Sequence, residues 1–357
     1  MFQAFQVKNF RCFRHLKLDS LERVNLVTGK NNAGKTALLE AIFLHLGAIN
    51  PELSTLRLNA FRGFDVPLAE PLETWGWLFR DRETSGEIES TSTDEHGVKR
   101  RLVIRLGVAE TSEVPLAEEG HRGIGGSSRA LVSPPVRQEL HLEFDDGTGH
   151  VVQSTSVIAE DRLEFRAPKS AAFPLSCFFS TRLRSKDEDV DRFSKLDEVG
   201  RQDELLAILK LVEPRLQRLA VHTVRGVTSI RGDVGIGRMV PLALMGEGLV
   251  RLLSISTAIL SCRDGAVLID EIENGLHHEV LQPVWSGVAE AARKSNVQVF
   301  ATTHSRECVE AAHRAFSESL HYDLRVIRLE REEKEILAIA YTKDTLDTSF
   351  EMSLEVR

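Results

Sequence analysis

The chain has 357 residues, is 42% hydrophobic and carries a formal net charge of −8. The length predicts two domains, or one large domain with an insertion. The sequence has neither an apolar run long enough to cross a membrane nor the apolar segment of a signal peptide, which excludes both classes. The acidic charge argues against broad nonspecific nucleic-acid binding. We therefore expect a cytoplasmic protein with reduced cysteines, since its four cysteines form no C-x-x-C pair.

The first predicted elements surround a glycine-rich loop. Residues 2–8 and 13–19 predict two short strands, and residues 23–28 predict a buried strand. Residues 35–47 have apolar side chains at helical spacing, with Gly47 as a stop. The loop GKNNAGKT therefore lies between a strand and a helix, which is the context in which such loops bind phosphate.

The middle of the chain alternates apolar and polar residues, which predicts an antiparallel β meander over residues 83–167. Within it, residues 109–135 are rich in Gly, Ser, Pro and Glu and predict a flexible loop. The later patterns predict a strand at 174–180, an amphipathic helix at 201–219, a hairpin within 221–244, a helix-strand-helix-strand block at 248–303, a closing hairpin at 324–330 and 335–341, and a short helical tail.

Residues Gly29 to Thr36 fit the phosphate-binding pattern G-x-x-x-x-G-K-[ST]. Glycine permits a backbone conformation and a close phosphate approach that a side chain would block. The loop amides and the helix N-terminus favour bound phosphate, Lys35 would contact the β- and γ-phosphates, and Thr36 would ligate Mg²⁺. A pattern this short also occurs by chance, but its place between strand and helix favours nucleotide binding.

Two later strands end in polar residues. The stretch GAVLIDEIENGLHH places Asp270 and Glu271 at the end of a buried strand, where they can hold Mg²⁺ through water and polarise an attacking water. An acidic turn after a strand is common, yet together with the phosphate loop it indicates hydrolysis. The stretch VQVFATTHS brings His304 to the same edge. A histidine at a strand end is more often structural, but here it is placed to contact the γ-phosphate or the water.

A glycine turn opens an apolar helix in LMGEGLVRLLSISTAIL, residues 244–260. Gly246 and Gly248 at this helix N-terminus form an anion site in principle. A simple junction between a loop and a helix explains the same residues almost as well, so this motif carries little information by itself.

In this order, the motifs resemble the ATP-binding-cassette (ABC) ATPases, and more narrowly their RecF/SMC/OLD branch. The resemblance rests on VKNFRCFRHLKLD, VNLVTGKNNAGKTALLEAI, LIDEIENGLHH and FATTHSRECVEAA. It implies an α/β fold, a P-loop NTPase head with a mixed or parallel sheet, and the antiparallel β meander as an insertion. We expect residues 1–47 and 171–357 to form the head and residues 48–170 to form the insertion.

The resemblance also assigns the cofactors ATP and Mg²⁺ and their ligands. Asp270 matches the acid associated with Mg²⁺, Glu271 matches the catalytic glutamate, and His304 matches the switch histidine. A Q-loop residue is not identified. The phosphate loop would comprise Gly29, Asn31, Asn32, Ala33, Gly34, Lys35, Thr36 and Ala37.

In this branch two heads enclose two ATP molecules, so the resemblance implies a homodimer or higher oligomer. His277 falls where the family has its D-loop contact across the dimer, and Gly246 and Gly248 fall at the signature motif, where Met245 replaces the usual serine. The cycle would act on nucleic acid or on a separately encoded effector such as a nuclease, in DNA repair or phage defence. We expect neither a coiled-coil arm nor a C-terminal Toprim nuclease, because no sustained heptads occur and few residues follow the last hairpin.

Other functions fit parts of the pattern. A nucleotide-sensing scaffold that scarcely hydrolyses ATP would restrain an effector, although Glu271 and His304 favour an active ATPase. A GTPase would need a guanine-reading motif, and SKLD at 194–197 lies in an acidic helical stretch rather than at a strand end. A P-loop kinase would need a substrate lid, a role open to the insertion, but the acidic strand end argues for hydrolysis.

Overall fold

The computed structural model describes residues 1–48, 50, 57–63, 71–108, 138–159, 162–166, 176–180, 186–333, 335–352 and 354–356. The predicted flexible loop at 109–135 lies outside these residues. The described part forms an α/β fold with a mixed sheet and an antiparallel sheet, as the sequence predicts.

The strands of the described part form three sheets. They are β1 (Phe2–Phe10), β2 (Phe13–Leu18), β3 (Val24–Thr28), β4 (Ile88–Asp94), β5 (Lys99–Val108), β6 (Gln138–Asp145), β7 (Val151–Ala159), β8 (Arg162–Arg166), β9 (Ser176–Phe179), β10 (Arg218–Val224), β11 (Val227–Asp233), β12 (Val240–Pro241), β13 (Ala266–Ile269), β14 (Gln298–Thr302), β15 (Leu324–Glu332) and β16 (Glu335–Tyr341). A small sheet of order β10-β11-β12 accompanies the two larger ones.

The helices of the described part follow the strands in chain order. They are α1 (Lys35–Leu46), α2 (Leu58–Phe61), α3 (Pro71–Trp75), α4 (Lys186–Glu198), α5 (Gln202–Leu209), α6 (Glu247–Ser261), α7 (His278–Ser295), α8 (Arg306–Ser317) and α9 (Lys343–Glu351). Short 3₁₀ turns cover residues 76–78, 80–82 and 242–244. Among these helices, none combines the length and the apolar character needed to span a bilayer.

The six-stranded sheet has the order β16-β15-β3-β14-β13-β9, and every neighbouring pair is parallel except β15 with β16. All residues of β3, β13 and β14 are buried, which explains why these strands show no polar alternation in the sequence. The carboxyl ends of the three strands meet at one edge of the sheet. Ligands bind at this edge in open parallel sheets.

The seven-stranded sheet is antiparallel throughout and has the order β2-β1-β4-β5-β6-β7-β8. It confirms the predicted meander. It also shows that β4 to β8 extend a sheet begun by β1 and β2, so the meander shares its sheet with the first strands of the chain. The domain boundaries at residues 47 and 170 stay a prediction.

Helix α1 lies between the two large sheets and contacts β1, β4, β9, β13 and β14. All of its residues except Thr36 are buried, and these include the polar residues Lys35, Glu40 and His45. The two sheets are also joined directly by Gln298 and Phe2. Gln298 Nε2 donates to the backbone oxygen of Phe2 at 2.8 Å, and Gln298 Oε1 accepts from the backbone amide of Phe2 at 2.9 Å. The opposite face of the six-stranded sheet is covered by α6, α7 and α8, with α4 and α5 against α6.

The predicted helix at 201–219 is wrong in its length. Helix α5 ends at Leu209, and β10 already begins at Arg218. Pro214 lacks an amide hydrogen and disfavours a helical conformation in the residue before it, so the helix cannot continue through this position. Leu216 and Leu219 are nevertheless buried, so apolar residues continue at helical spacing in the sequence beyond the end of α5. This spacing explains why the predicted helix is too long.

A buried histidine makes the stability depend on pH. His45 on α1 lies with Nδ1 2.9 Å from Ser90 Oγ and Nε2 2.8 Å from Ser92 Oγ, both on β4. Burial, with a smaller contribution from the charge of Arg100, lowers the pKa of His45 from 6.5 to about 3. The unfolded chain therefore binds this proton near pH 6.5 and the folded chain does so only near pH 3. The free energy of unfolding should fall as the pH decreases between these values, by up to about 1.4 kcal/mol per pH unit.

We expect His45→Gln to lose this part of the pH dependence. Urea unfolding at pH 7 and at pH 5 measures it, as the change in the free energy of unfolding between the two. His96 is 80% exposed, so His96→Gln should keep the wild-type dependence. If His45→Gln kept the wild-type pH dependence of the free energy of unfolding, His45 would not be its source.

Candidate active site

Two positions of the phosphate loop, Gly29 and Gly34, require glycine. It follows β3 and ends where α1 begins, with φ of 138° at Gly29 and 95° at Gly34. A Cβ atom on Gly29 would lie 2.4 Å from the backbone oxygen of Leu329, and one on Gly34 would lie 2.8 Å from Cys12 Sγ. The left-handed conformations and the close neighbours together exclude a side chain at either position.

Lys35 is held inside the loop. It is 5% exposed, and its Nζ donates to the backbone oxygens of Gly29 at 2.5 Å and Lys30 at 3.0 Å. Burial lowers the pKa of Lys35, and the charges of Asp270, Glu271 and Glu273 oppose this shift. The ammonium group therefore sits in a partly dehydrated position that an anion would stabilise.

Thr36 and Asp270 connect the loop to the acidic strand. Thr36 Oγ1 donates to the Asp270 carboxylate at 3.0 Å and 3.2 Å, and Thr302 Oγ1 donates to the same carboxylate at 2.7 Å. Asp270 is 7% exposed. A buried carboxylate beside a hydroxyl is an oxygen-only donor set, and this set fits Mg²⁺, which prefers oxygen ligands.

Glu271 and His304 lie side by side at the same edge. The Glu271 amide donates to Thr302 Oγ1 at 2.8 Å, and its φ of 47° turns the residue away from the strand direction. His304 Nε2 lies 3.5 Å from Glu271 Oε1, and the His304 amide donates to Glu273 Oε1 at 2.7 Å. Both side chains are 39% exposed. A positive φ at a non-glycine residue is strained, and such strain is concentrated at functional sites.

A cavity of about 1010 Å³ opens in front of these groups. Asn31, Asn32, Gly34, Lys35, Thr36, Ala37, Glu271 and His304 line it. Of the other predicted loop residues, Ala33 is buried in the core behind the loop, and Gly29 packs against Leu329. The structure thus brings most of the predicted loop together with both predicted catalytic residues in one cavity.

The remaining wall of the cavity was missed in the sequence. Four arginines line it, namely Arg11, Arg62, Arg82 and Arg331, together with Cys12, Trp77, Phe79 and Asp81. Three of these arginines pair with carboxylates: Arg11 and Arg62 with Glu40, and Arg82 with Glu73. Arg11 lies in the stretch VKNFRCFRHLKLD and could have been found there, whereas no motif marks the other three arginines.

The glycine turn and His277 lie elsewhere. Gly246 precedes α6 with φ of 113°, and Gly248 faces Leu276 and Val280. His277 precedes α7, is 65% exposed and pairs with Glu279 at 3.6 Å. Among the described residues that line the cavity, neither these glycines nor His277 occurs.

Comparisons with known proteins find relatives in both sequence and fold. A family model described as "AAA domain, putative AbiEii toxin, Type IV TA system" matches residues 24–310. The ATP/GTP phosphatase of Helicobacter pylori is 24% identical over 98% of this chain and 98% of its own length. The OLD nuclease of Thermus scotoductus is 24% identical over 96% of this chain and 65% of its own length. The structure of an Smc head bound to the C-terminal winged-helix domain of ScpA has a TM-score of 0.51 and 10% identity, and covers 97% of this chain and 99% of its own.

The structural likeness confirms the predicted head fold, and the relatives confirm the predicted branch. The family model spans most of the chain, from β3 with the phosphate loop to α8 beyond His304. The chain therefore belongs to this AAA domain family and is an ABC-type P-loop ATPase of the RecF/SMC/OLD branch.

Proposed function

We propose that the chain binds Mg²⁺ and ATP in the cavity beside the phosphate loop and removes the terminal phosphate. The observation that best supports this is the 3.0 Å contact between Thr36 Oγ1 and Asp270, because it joins the loop to the acidic strand. Two segments more than 200 residues apart in the chain thereby form one oxygen-rich site next to the buried Lys35 ammonium.

Each residue then has a defined task. Lys35 exchanges its carbonyl partners for the β- and γ-phosphate oxygens, and the loop amides bind the remaining phosphate oxygens. Thr36 and Asp270 would hold Mg²⁺, which when bound neutralises phosphate charge. Glu271 accepts a proton from the attacking water. His304, 3.5 Å from Glu271, orients that carboxylate and contacts the γ-phosphate.

ATP binding would bring two heads together. Leu244, next to the signature position, is 77% exposed, and His277 is 65% exposed, so both are available to a second copy. In the dimer, Gly246 and Gly248 of one head would complete the ATP site of the other, with His277 at the contact between them.

We expect Glu271→Gln to dimerise with Mg·ATP, because ATP then persists. Light scattering measures the mass with and without Mg·ATP, and Lys35→Ala in the same background is the control, expected to stay monomeric. A mass that ATP does not change would contradict the ATP-driven dimer.

A scaffold with little hydrolysis is the second candidate. Met245 takes the position of the signature serine and packs half-buried against the core, so it offers no hydroxyl to a partner's γ-phosphate. An oligomer that forms without ATP and hydrolyses ATP weakly would favour this scaffold over the ATPase that dimerises when ATP binds.

The cycle would control a partner. We propose a cytoplasmic protein whose dimer binds or releases nucleic acid or a separately encoded effector such as a nuclease, in DNA repair or phage defence. The family description, which includes a toxin–antitoxin system, and the similarity to an OLD nuclease support this choice. The dimer trapped by Glu271→Gln would serve as bait for the partner.

A further inference from the structure

An exposed tryptophan lies in the wall of the nucleotide cavity. The chain has three tryptophans, all of them in the described part. Trp75 and Trp285 are 0% and 1% exposed, whereas Trp77 is 41% exposed and lines the cavity. Core packing therefore explains the first two, whereas part of the Trp77 ring stays open to the cavity.

The Trp77 ring is held in one orientation. Its Nε1 donates to Glu73 Oε2 at 3.2 Å, and the Arg82 guanidinium lies 4.5 Å from the ring centroid. Arg82 in turn donates to Glu73 Oε1 at 2.6 Å. The hydrogen bonds from Arg82 and then from Trp77 lower the pKa of the Glu73 carboxyl, which keeps it charged and able to hold both partners. An exposed aromatic ring fixed in this way is preorganised for a ligand.

The segment that carries Trp77 is tied to the turn between β1 and β2, whose Cys12 lies beside Gly34 of the phosphate loop. Arg11 Nη1 donates to the backbone oxygen of Trp77 at 3.1 Å, and the Arg11 amide donates to that of Leu78 at 2.8 Å. The next turn contains two consecutive residues in the left-handed region, Asp81 with φ of 53° and Arg82 with φ of 59°. Neither is a glycine, so this backbone is strained, and in this conformation Arg82 lies over the ring.

We propose that Trp77 and Arg82 form the subsite for the base of the bound nucleotide. The inference rests on the proposed function, because it places the base in the same cavity that would hold the phosphates. A flat indole ring next to a guanidinium stacks with any base, and a purine covers more of the ring than a pyrimidine does. The subsite therefore accepts both ATP and GTP and binds them more tightly than CTP.

Fluorescence of the unmodified protein tests the stacking. Acrylamide should quench Trp77 and spare the two buried tryptophans, and Trp77→Phe should remove the quenchable part. We expect a non-hydrolysable analogue of ATP or GTP to protect Trp77 from acrylamide, and inorganic tripolyphosphate, which has no base, to leave it accessible. Equal protection by tripolyphosphate would overturn the proposal.

Affinities provide a second test. Trp77→Ala should raise the Kd for ATP about 10-fold and leave the Kd for tripolyphosphate within about 2-fold, because only the base loses its stacking partner. Trp77→Phe, which keeps a ring, should retain most of the affinity, and the preference for ATP over CTP should shrink in Trp77→Ala. If Trp77→Ala binds both ATP and tripolyphosphate and its Kd for ATP is no more affected than its Kd for tripolyphosphate, the base subsite alone is overturned. Failure of both to bind would overturn the proposed ATP site together with it.

Discussion

Glu271→Gln is expected to lower kcat for ATP hydrolysis by about 10²- to 10⁴-fold, which is the usual contribution of a positioned general base. The amide keeps the shape of the side chain but cannot accept the proton of the attacking water. Nucleotide binding should persist, because Lys35, Thr36 and Asp270 are unchanged. Release of phosphate under saturating Mg·ATP gives kcat, and a separate binding measurement gives the affinity.

The control for this variant is Glu290→Gln. Glu290 lies on α7, pairs with Lys294 and is 40% exposed, so its replacement removes a carboxylate without altering the cavity. This variant should hydrolyse ATP at the wild-type rate. Hydrolysis by Glu271→Gln within a few-fold of wild type would mean that another group activates the water.

The second large effect concerns stability. Glu40 is 0% exposed and lies between two arginines: Arg62 Nε donates to its Oε1 at 2.5 Å, and Arg11 Nε lies 3.2 Å from its Oε2. Glu40→Gln should lower the free energy of unfolding by about 3 kcal/mol, because it removes the negative charge that compensates the buried Arg11. This loss lies at the lower end of the range for breaking a buried ion pair, because the Arg62 side chain is 42% exposed and can be solvated when Glu40 is replaced.

Urea unfolding measures this loss, and Glu335→Gln is its control. Glu335 and its partner Arg14 are 59% and 61% exposed and 3.8 Å apart, so this substitution should change the free energy of unfolding by less than about 1 kcal/mol. Equal changes in the free energy of unfolding for the two substitutions would show that the burial of Glu40 adds nothing to the stabilising effect of its ion pairs.

The part of the molecule around the phosphate loop could be predicted from short patterns. Buried parallel strands appear as continuous apolar segments, and Asp270, Glu271 and His304 follow two such segments directly. The strand ends of a parallel sheet meet at one edge, so the proximity of these three residues was predictable without knowing any side-chain contact. Helix α5 was misjudged because buried leucines in the following turn and strand mimic the spacing of a helix.

The rest of the cavity could not be predicted because its residues come from separate segments with no shared period. The contacts of Glu40 with Arg11 and Arg62 cross from α1 to a turn and to the end of α2, and no spacing rule connects them. Likewise, Trp75 and Trp77 are two residues apart in a stretch without regular alternation. Only the three-dimensional fold shows that one is fully buried and the other lines the cavity beside the phosphate loop.

The position of α1 between two sheets limits how its sequence can change. A helix at a protein surface has one side on which most polar residues are interchangeable, but α1 has no such side, since only Thr36 escapes burial and Thr36 contacts Asp270. Every replacement in it must fit a packed neighbour. In a directed-evolution experiment α1 is therefore a poor place to introduce diversity, and the exposed turns around the cavity are the better choice.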